Sequence, residues 1–90
     1  MKTLAGDEMK MLEDLKTGKR LVGLKQSTRA VSEGKAVAAF VACDAQDAVK
    51  EPFVALCKQQ GVCVEWVDTM AHLGRVCGIE LGAAVAVLIR

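Results

Sequence analysis

Two short apolar runs constrain the fold more than any other feature of this sequence. Residues 36–43 read AVAAFVAC, and residues 83–89 read AAVAVLI. Both have the length of a β-strand, and the continuous apolar character of the first is typical of a strand buried on both faces. The chain is therefore predicted to contain a sheet that other elements cover on both sides.

The segments around these runs predict helices and one further pair of strands. In chain order they are a helix at 7–16 ended by Gly18, a strand at 21–23, a helix at 27–33 stopped by Gly34, a helix at 48–60 closed by Gly61, a strand at 62–67 and a short helix capped by Thr69 that runs through Val76. Strands that alternate with helices through short loops predict an α/β layer sandwich. Such loops leave little room for an elaborate active site, which favours binding over catalysis.

Length and composition indicate one globular domain spanning residues 1–90. The 52% hydrophobic and 26% charged content is ordinary for a folded protein and argues against disorder. The start, MKTLAGDEMKML, lacks the apolar run of a signal peptide, so we expect a cytoplasmic protein. In that reducing compartment the cysteines are expected to be small, buried apolar residues, and we expect no metal or other cofactor. These cysteines are Cys43, Cys57, Cys63 and Cys77.

No catalytic constellation is found in the sequence. His72 and Cys77 lie five positions apart and do not share a helix face well. Asp44 and Asp47 stand where the caps of the following helix are expected. The stretch 17–19 (TGK) lacks the remaining positions of a phosphate-binding P-loop. The protein is accordingly predicted not to be an enzyme.

Positive charge is concentrated in the first part of the chain. Residues 1–35 hold eight basic and five acidic residues, whereas residues 36–90 hold four basic and six acidic ones. Positions 15–32 contain no Asp or Glu but carry Lys16, Lys19, Arg20, Lys25 and Arg29. Such a surface suits a small polyanionic site, although on charge alone a solvated basic face is the better interpretation.

The stretch GLKQSTRAV, residues 23–31, brings two of these basic residues together at the start of a predicted helix. A helix that begins near Lys25 or Gln26 places both within one turn of Arg29. Helix starts usually favour Asp or Glu, because the amino end of the helix dipole is positive. Their absence suggests that a ligand supplies the negative charge. Gly23 would allow an RNA backbone or base to approach closely. The amide of Gln26 can read base edges, and the cations of Lys25 and Arg29 can hold phosphates or pair with guanine.

A second stretch, VCGIELGAA at 76–84, places Ile79 and Leu81 in a loop between two glycines. Apolar residues in a loop either pack into the core or remain exposed for a partner. From the pattern alone, burial in the core is expected.

Together, GLKQSTRAV and HLGRVCGIELGAAVAVLI resemble the kink-turn-binding ribosomal protein family, the large-subunit "seven-Ae" and "thirty-e" proteins, and most of all its small bacterial YbxF-like members. The resemblance covers residues 21–89. It implies a three-layer α-β-α sandwich built on a four-stranded mixed sheet. It also implies binding of RNA kink-turns, which are sharply bent duplexes built on tandem sheared G·A pairs.

The family motif Gly-x-Asn-Glu-x-x-Lys falls on Gly23, Lys25, Gln26 and Arg29. The resemblance implies that the central pair contacts the G·A bases and that the basic residue contacts guanine or the bent backbone. A later Leu-Gly motif matches residues 73–74. The loop before the last strand, which in the family covers flipped-out and stacked bases, falls on Ile79, Glu80 and Leu81.

This chain departs from the archaeal pattern, because Lys-Gln replaces Asn-Glu and Arg29 replaces Lys. An Arg keeps the charge but offers a planar fork that can pair bidentately. The resemblance predicts a monomeric, non-enzymatic protein whose partner is a structured RNA, either ribosomal or riboswitch-like. The alternative is a protein-interaction module that keeps the fold and uses Ile79 and Leu81 as apolar anchors.

Overall fold

The computed structural model describes residues 19–89. Its elements are β1 (Arg20–Val22), α1 (Leu24–Ser32), β2 (Ala36–Ala42), α2 (Asp47–Gln60), β3 (Cys63–Val67), α3 (Met70–Val76) and β4 (Val85–Ile89). The predicted helix at 7–16 and its cap Gly18 lie outside the described residues. Every other element predicted from the sequence is present.

The four strands form one mixed sheet in the order β1-β4-β2-β3. Strands β2 and β3 are parallel, while β4 runs antiparallel to both β1 and β2. The last residues of β1, β2 and β3 and the first residue of β4 therefore lie at one end of the sheet, called the upper end below. These residues are Val22, Ala42, Val67 and Val85. The connections that begin or finish there determine what that end presents.

Helices cover both faces of the sheet. Phe53 and Cys57 of α2 and Val31 of α1 pack with Val41 and Val87 on one face. On the other face α3 packs against the strands through residues that share a second core cluster with Phe40. These residues are Leu73, Val76 and Cys77. The architecture is thus the three-layer α-β-α sandwich with a mixed sheet that the sequence resemblance implies.

Strand β2 is buried on both faces, as its apolar run predicts, with one exception. Val37 remains 47% exposed, and the pairing of β2 with β4 shifts register between Ala36 and Ala38. An irregularity of this kind leaves the intervening residue outside the regular alternation of faces. The exception is therefore a local backbone effect.

The start of one helix differs from the prediction for an identifiable reason, and a second helix contains a proline. Helix α1 begins at Leu24, before the predicted residue 27, because Gly23 turns the chain directly from β1 into the helix. In α2, Pro52 lies beyond the first turn. The carbonyl that loses its N–H partner there belongs to Ala48, which is exposed and can bond to water instead. Gly61, in the left-handed conformation, ends α2 as predicted.

Candidate functional site

Gly23 joins β1 to α1 at the upper end of the sheet. Its N–H donates to the carbonyl oxygen of Val85, 3.0 Å away, which ties the start of α1 to the start of β4. Its backbone angles, φ 105° and ψ 155°, belong to a region that essentially only glycine adopts. An added Cβ would meet nothing within 4 Å. Glycine is required here by the backbone conformation, and the space beside it is open to a ligand.

The first turn of α1 is positively polarised and uncapped. It contains no acidic residue, and its N-cap residue, Gly23, has no side chain with which to cap the helix. The N–H groups of Leu24, Lys25 and Gln26 stand at positions that have no acceptor within a helix, whereas Ser27 N donates to Gly23 O at 3.0 Å. The side chains of Lys25 and Gln26 are both exposed. This arrangement favours an anionic ligand.

Arg29 follows one turn later and belongs to an exposed chain of charges. Its Nε donates to Glu33 Oε2 at 3.1 Å, and the other carboxylate oxygen of Glu33 lies 3.3 Å from Lys35 Nζ. The hydrogen bond from Arg29, followed by that from Lys35, lowers the pKa of Glu33. Gln26 and Arg29 line a common depression of about 380 Å³, together with Leu21, Ala30, Glu33, Lys35 and Ile89.

Residues 78–82, called the apolar loop below, connect α3 to the approach of β4. Ile79 N donates to Gly74 O, and Ala83 N donates to Met70 O, each at 3.0 Å. Leu81 is nevertheless 80% exposed and Ile79 39% exposed, so the expected burial in the core is wrong for both. At this point the backbone of the loop lies directly on α3, because the carbonyl oxygen of Leu81 occupies the space that a Cβ on Gly74 would need.

The hydrogen bond from Gly23 to Val85 ties the start of α1 to the start of β4, the strand into which the apolar loop leads. The structure thus gathers Gly23, Lys25 and Gln26 with the loop at the upper end, while Arg29 lies further along α1. Leu24, the first residue of α1, is 41% exposed and lines a depression between α1 and α2. Sequence reasoning missed it, although an apolar first residue in an uncapped helix was an available signal.

Arg20 does not join the basic surface in the way the charge distribution suggested. Its Nε and Nη2 donate to the carbonyl oxygen of Cys77 at 3.1 and 2.8 Å, at the end of α3. Lys19 is exposed, and Lys16 lies outside the described residues.

The two aspartates after β2 also differ in role. Asp44 was expected to cap α2, but its Oδ1 accepts from Met70 N at 2.8 Å and so caps α3. Parallel neighbouring strands bring the loops that follow them together, and this explains the change of helix. Asp47 lies in the first turn of α2, 3.4 Å from Lys50 Nζ. Thr69 caps α3 as predicted, accepting from His72 N at 3.0 Å.

The cysteines divide into two classes. Cys57 and Cys77 are buried as expected, whereas Cys43 and Cys63 are exposed, so the expectation is wrong for these two. Cys43 lies in the turn after β2, and Cys63 is the first residue of the edge strand β3. Within residues 19–89, no group of three His, Cys, Asp or Glu side chains could hold a metal ion. No helix in that range is long and apolar enough to cross a membrane.

Residues 8–90 match the sequence profile of the ribosomal protein L7Ae/L30e/S12e/Gadd45 family. The chain belongs to this family. An RNA-binding protein of Geobacillus sp. strain WCH70 is 42% identical over 76 residues, which cover 84% of this chain and 93% of the relative. The RNA-binding protein YbxF of Geobacillus stearothermophilus is 40% identical over 76 residues, with the same coverage.

Solved structures confirm the fold independently. The 15.5 kD RNA binding protein of Giardia lamblia superposes with a TM-score of 0.79 over 100% of this chain and 78% of that one, at 23% sequence identity. The profile match and the relatives of about 40% identity confirm the family resemblance inferred from GLKQSTRAV and HLGRVCGIELGAAVAVLI.

Proposed function

We propose that this protein binds structured RNA and recognises kink-turns through the upper end of the sheet. The observation that carries the proposal is the acid-free start of α1 at the same end of the sheet as an exposed apolar loop. Membership of the L7Ae/L30e/S12e/Gadd45 family and close relatives that are named RNA-binding proteins support it. The protein acts as a monomer in the cytoplasm, without catalysis.

In this proposal the two halves of the surface have different tasks. Lys25 and Gln26 contact the sheared G·A pairs at the start of α1, where free N–H groups and the helix dipole also favour phosphate. Arg29 contacts a guanine or the bent backbone with its planar fork. Ile79 and Leu81 cover bases that the bend unstacks, and Glu80 lies between them at the rim. Binding selects the kinked RNA conformer over the open one.

Titration of a standard kink-turn RNA at fixed salt tests the proposal. The control RNA carries Watson–Crick pairs in place of the G·A pairs. We expect tight binding to the first RNA and weak binding to the second, because each lost bidentate base contact costs about 1–3 kcal/mol. Equal binding to both, or binding to neither, would contradict kink-turn recognition.

Variants then locate the surface. Arg29→Ala should weaken binding about tenfold or more and reduce the slope of log K against log salt by about 1. Lys58→Ala is the matched control, because it also removes one exposed cation but lies near the end of α2. It should leave both quantities nearly unchanged.

A protein-interaction module is the second candidate, and the 80% exposure of Leu81 is the observation that favours it. A protein partner held by Ile79 and Leu81 would bind with little salt dependence, and Leu81→Ala would abolish that binding. Strong salt dependence combined with loss on Arg29→Ala would favour RNA instead.

A further inference from the structure

Arg20, the first residue of β1, links the carboxyl end of α3 to the sheet through side-chain hydrogen bonds. Its guanidinium reaches the face that α3 covers, the same face onto which Val22 packs. Nε and Nη2 both donate to Cys77 O, at 3.1 and 2.8 Å, in a partly buried environment. Cys77 is the residue that ends α3. A cation at the carboxyl end of a helix complements the negative end of its dipole, and two donors on one oxygen fix the position of that carbonyl.

The apolar loop begins directly at this contact. Gly78 follows Cys77 with φ +80°, and a Cβ on Gly78 would lie 3.5 Å from Arg20 Nη2. The guanidinium therefore lies against the first residue of the loop as well as against the end of α3. Beyond it, Ile79 N donates to Gly74 O, so the position of Ile79 depends on where α3 ends.

We propose that Arg20 is a positioning residue for the RNA-binding surface: by holding Cys77 O it fixes the orientation in which the apolar loop presents Ile79 and Leu81. This role rests on the RNA-binding function proposed above. The rival interpretation is that Arg20, as one of the basic residues in the acid-free stretch, contacts an RNA phosphate directly. The two differ in their salt dependence and in their coupling to Leu81.

Arg20→Met keeps a long apolar stem but removes the charge and the donors. We expect this variant to bind kink-turn RNA about tenfold more weakly with an unchanged salt slope, because no phosphate contact is lost. Arg29→Ala in the same assay should lower the slope by about 1. A slope that falls by the same amount in Arg20→Met would overturn the positioning role and make Arg20 a phosphate contact.

A double-mutant cycle supplies the second criterion. If Arg20 acts by positioning Leu81, then Arg20→Met should cost little further affinity once Leu81→Ala is present. Combined with Arg29→Ala, its effect should be additive. Full additivity with Leu81→Ala would contradict the proposal. Arg20→Lys is the control for misfolding. It keeps the charge but cannot form the bidentate contact, so we expect an intermediate loss of affinity and an unchanged slope of log K against log salt.

Amide hydrogen exchange of the free protein separates this inference from the proposed function. The N–H groups of Ile79 and Ala83 should exchange faster in Arg20→Met, while those of the β2–β4 ladder should keep their protection. Unchanged exchange at Ile79 would overturn the positioning role, whatever RNA the protein binds. A further outcome is that the wild-type protein fails to bind kink-turn RNA while Ile79 and Ala83 still exchange faster in Arg20→Met. That result would contradict the proposed function but support the role of Arg20 in ordering the loop.

Discussion

At the scale of single residues, burial decides which thiols are reactive. Desolvation raises the pKa of Cys57 to about 11 and also raises the pKa of Cys77, because a buried thiolate is disfavoured. Cys43 and Cys63 are exposed. We predict that a thiol-reactive disulfide reagent modifies these two rapidly in the native protein at about pH 8, and all four only after denaturation. Cys77 reacting as fast as Cys43 would contradict the structure.

Glu33 would compete with RNA for Arg29 in the proposed complex. The carboxylate holds the Nε of Arg29 at 3.1 Å. Its pKa is lowered below the ordinary value of 4.5, so the pair persists at neutral pH and is lost only as pH falls through that lowered pKa. We predict that Glu33→Gln binds kink-turn RNA a few-fold more tightly at low salt, because Arg29 is released. Affinity is measured by titration.

Glu51→Gln is the matched control, since Glu51 is an exposed carboxylate on α2 and its loss changes the net charge equally. It should have a smaller effect than Glu33→Gln. Equal effects would show that only long-range charge matters at both positions.

Residues whose partners are distant in sequence were the ones that could not be predicted. The pattern around residue 23 identified the exposed polar side chains at the start of α1, because helix periodicity alone brings them together. From their neighbours in sequence, Arg20 was predicted to belong to a basic face and Asp44 to cap the helix that follows it. Their actual partners are Cys77 and Met70, which only the packing of α3 on the sheet brings near.

At the scale of elements, α3 has seven residues and depends on its caps. Asp44 Oδ1 accepts from Met70 N at 2.8 Å, and Thr69 accepts from His72 N at 3.0 Å. Asp44→Ala and Thr69→Ala should each lower the free energy of unfolding by about 1 kcal/mol. Asp47→Ala, which removes an exposed ion pair, should cost about 0.5 kcal/mol or less. Urea unfolding measures all three, and a loss for Asp47→Ala as large as for Asp44→Ala would contradict the cap.

The close approach of the apolar loop to α3 depends on Gly74. An alanine Cβ there would overlap the carbonyl oxygen of Leu81. We predict that Gly74→Ala lowers the free energy of unfolding by about 1–3 kcal/mol and also weakens RNA binding, because the loop must move. Thermal unfolding and RNA titration measure the two effects.

Gly61→Ala provides the comparison for that prediction. Gly61 has φ +70° but open space around it, so the substitution should cost about 1 kcal/mol through backbone conformation alone. RNA affinity should not change, since Gly61 lies at the end of the sheet opposite the upper end. If Gly61→Ala weakened RNA binding while Gly74→Ala did not, the RNA interface would not lie at the upper end of the sheet.

Elements were predicted well where a local pattern sets them. Apolar runs identified β2 and β4, and glycines marked the ends of α1 and α2. The exposure of Leu81 could not be predicted from the composition of the loop, because it depends on how the loop packs on α3, where the Leu81 carbonyl lies directly on Gly74. The irregular pairing that exposes Val37 is equally a property of two strands together.

At the scale of the whole molecule, strand direction explains why one end of the sheet carries the candidate surface. Strands β1, β2 and β3 all finish at the upper end, and β4 begins there. The start of α1 and the apolar loop consequently lie at the same end of the sheet although more than fifty residues separate them in sequence. The opposite end holds the turn from α1 to β2 and the turn around Gly61.

The last prediction follows from this polarity. A ligand that binds only the folded state stabilises it by RT ln(1 + [L]/Kd), about 2.7 kcal/mol at a hundredfold excess over Kd. Kink-turn RNA should therefore raise the unfolding temperature of the protein, and the control RNA without G·A pairs should not. In hydrogen exchange, protection should increase at Lys25, Gln26 and Ile79 while the turn at Gly61 stays unchanged. Protection spread evenly over both ends of the sheet would instead indicate nonspecific electrostatic coating of the protein by RNA.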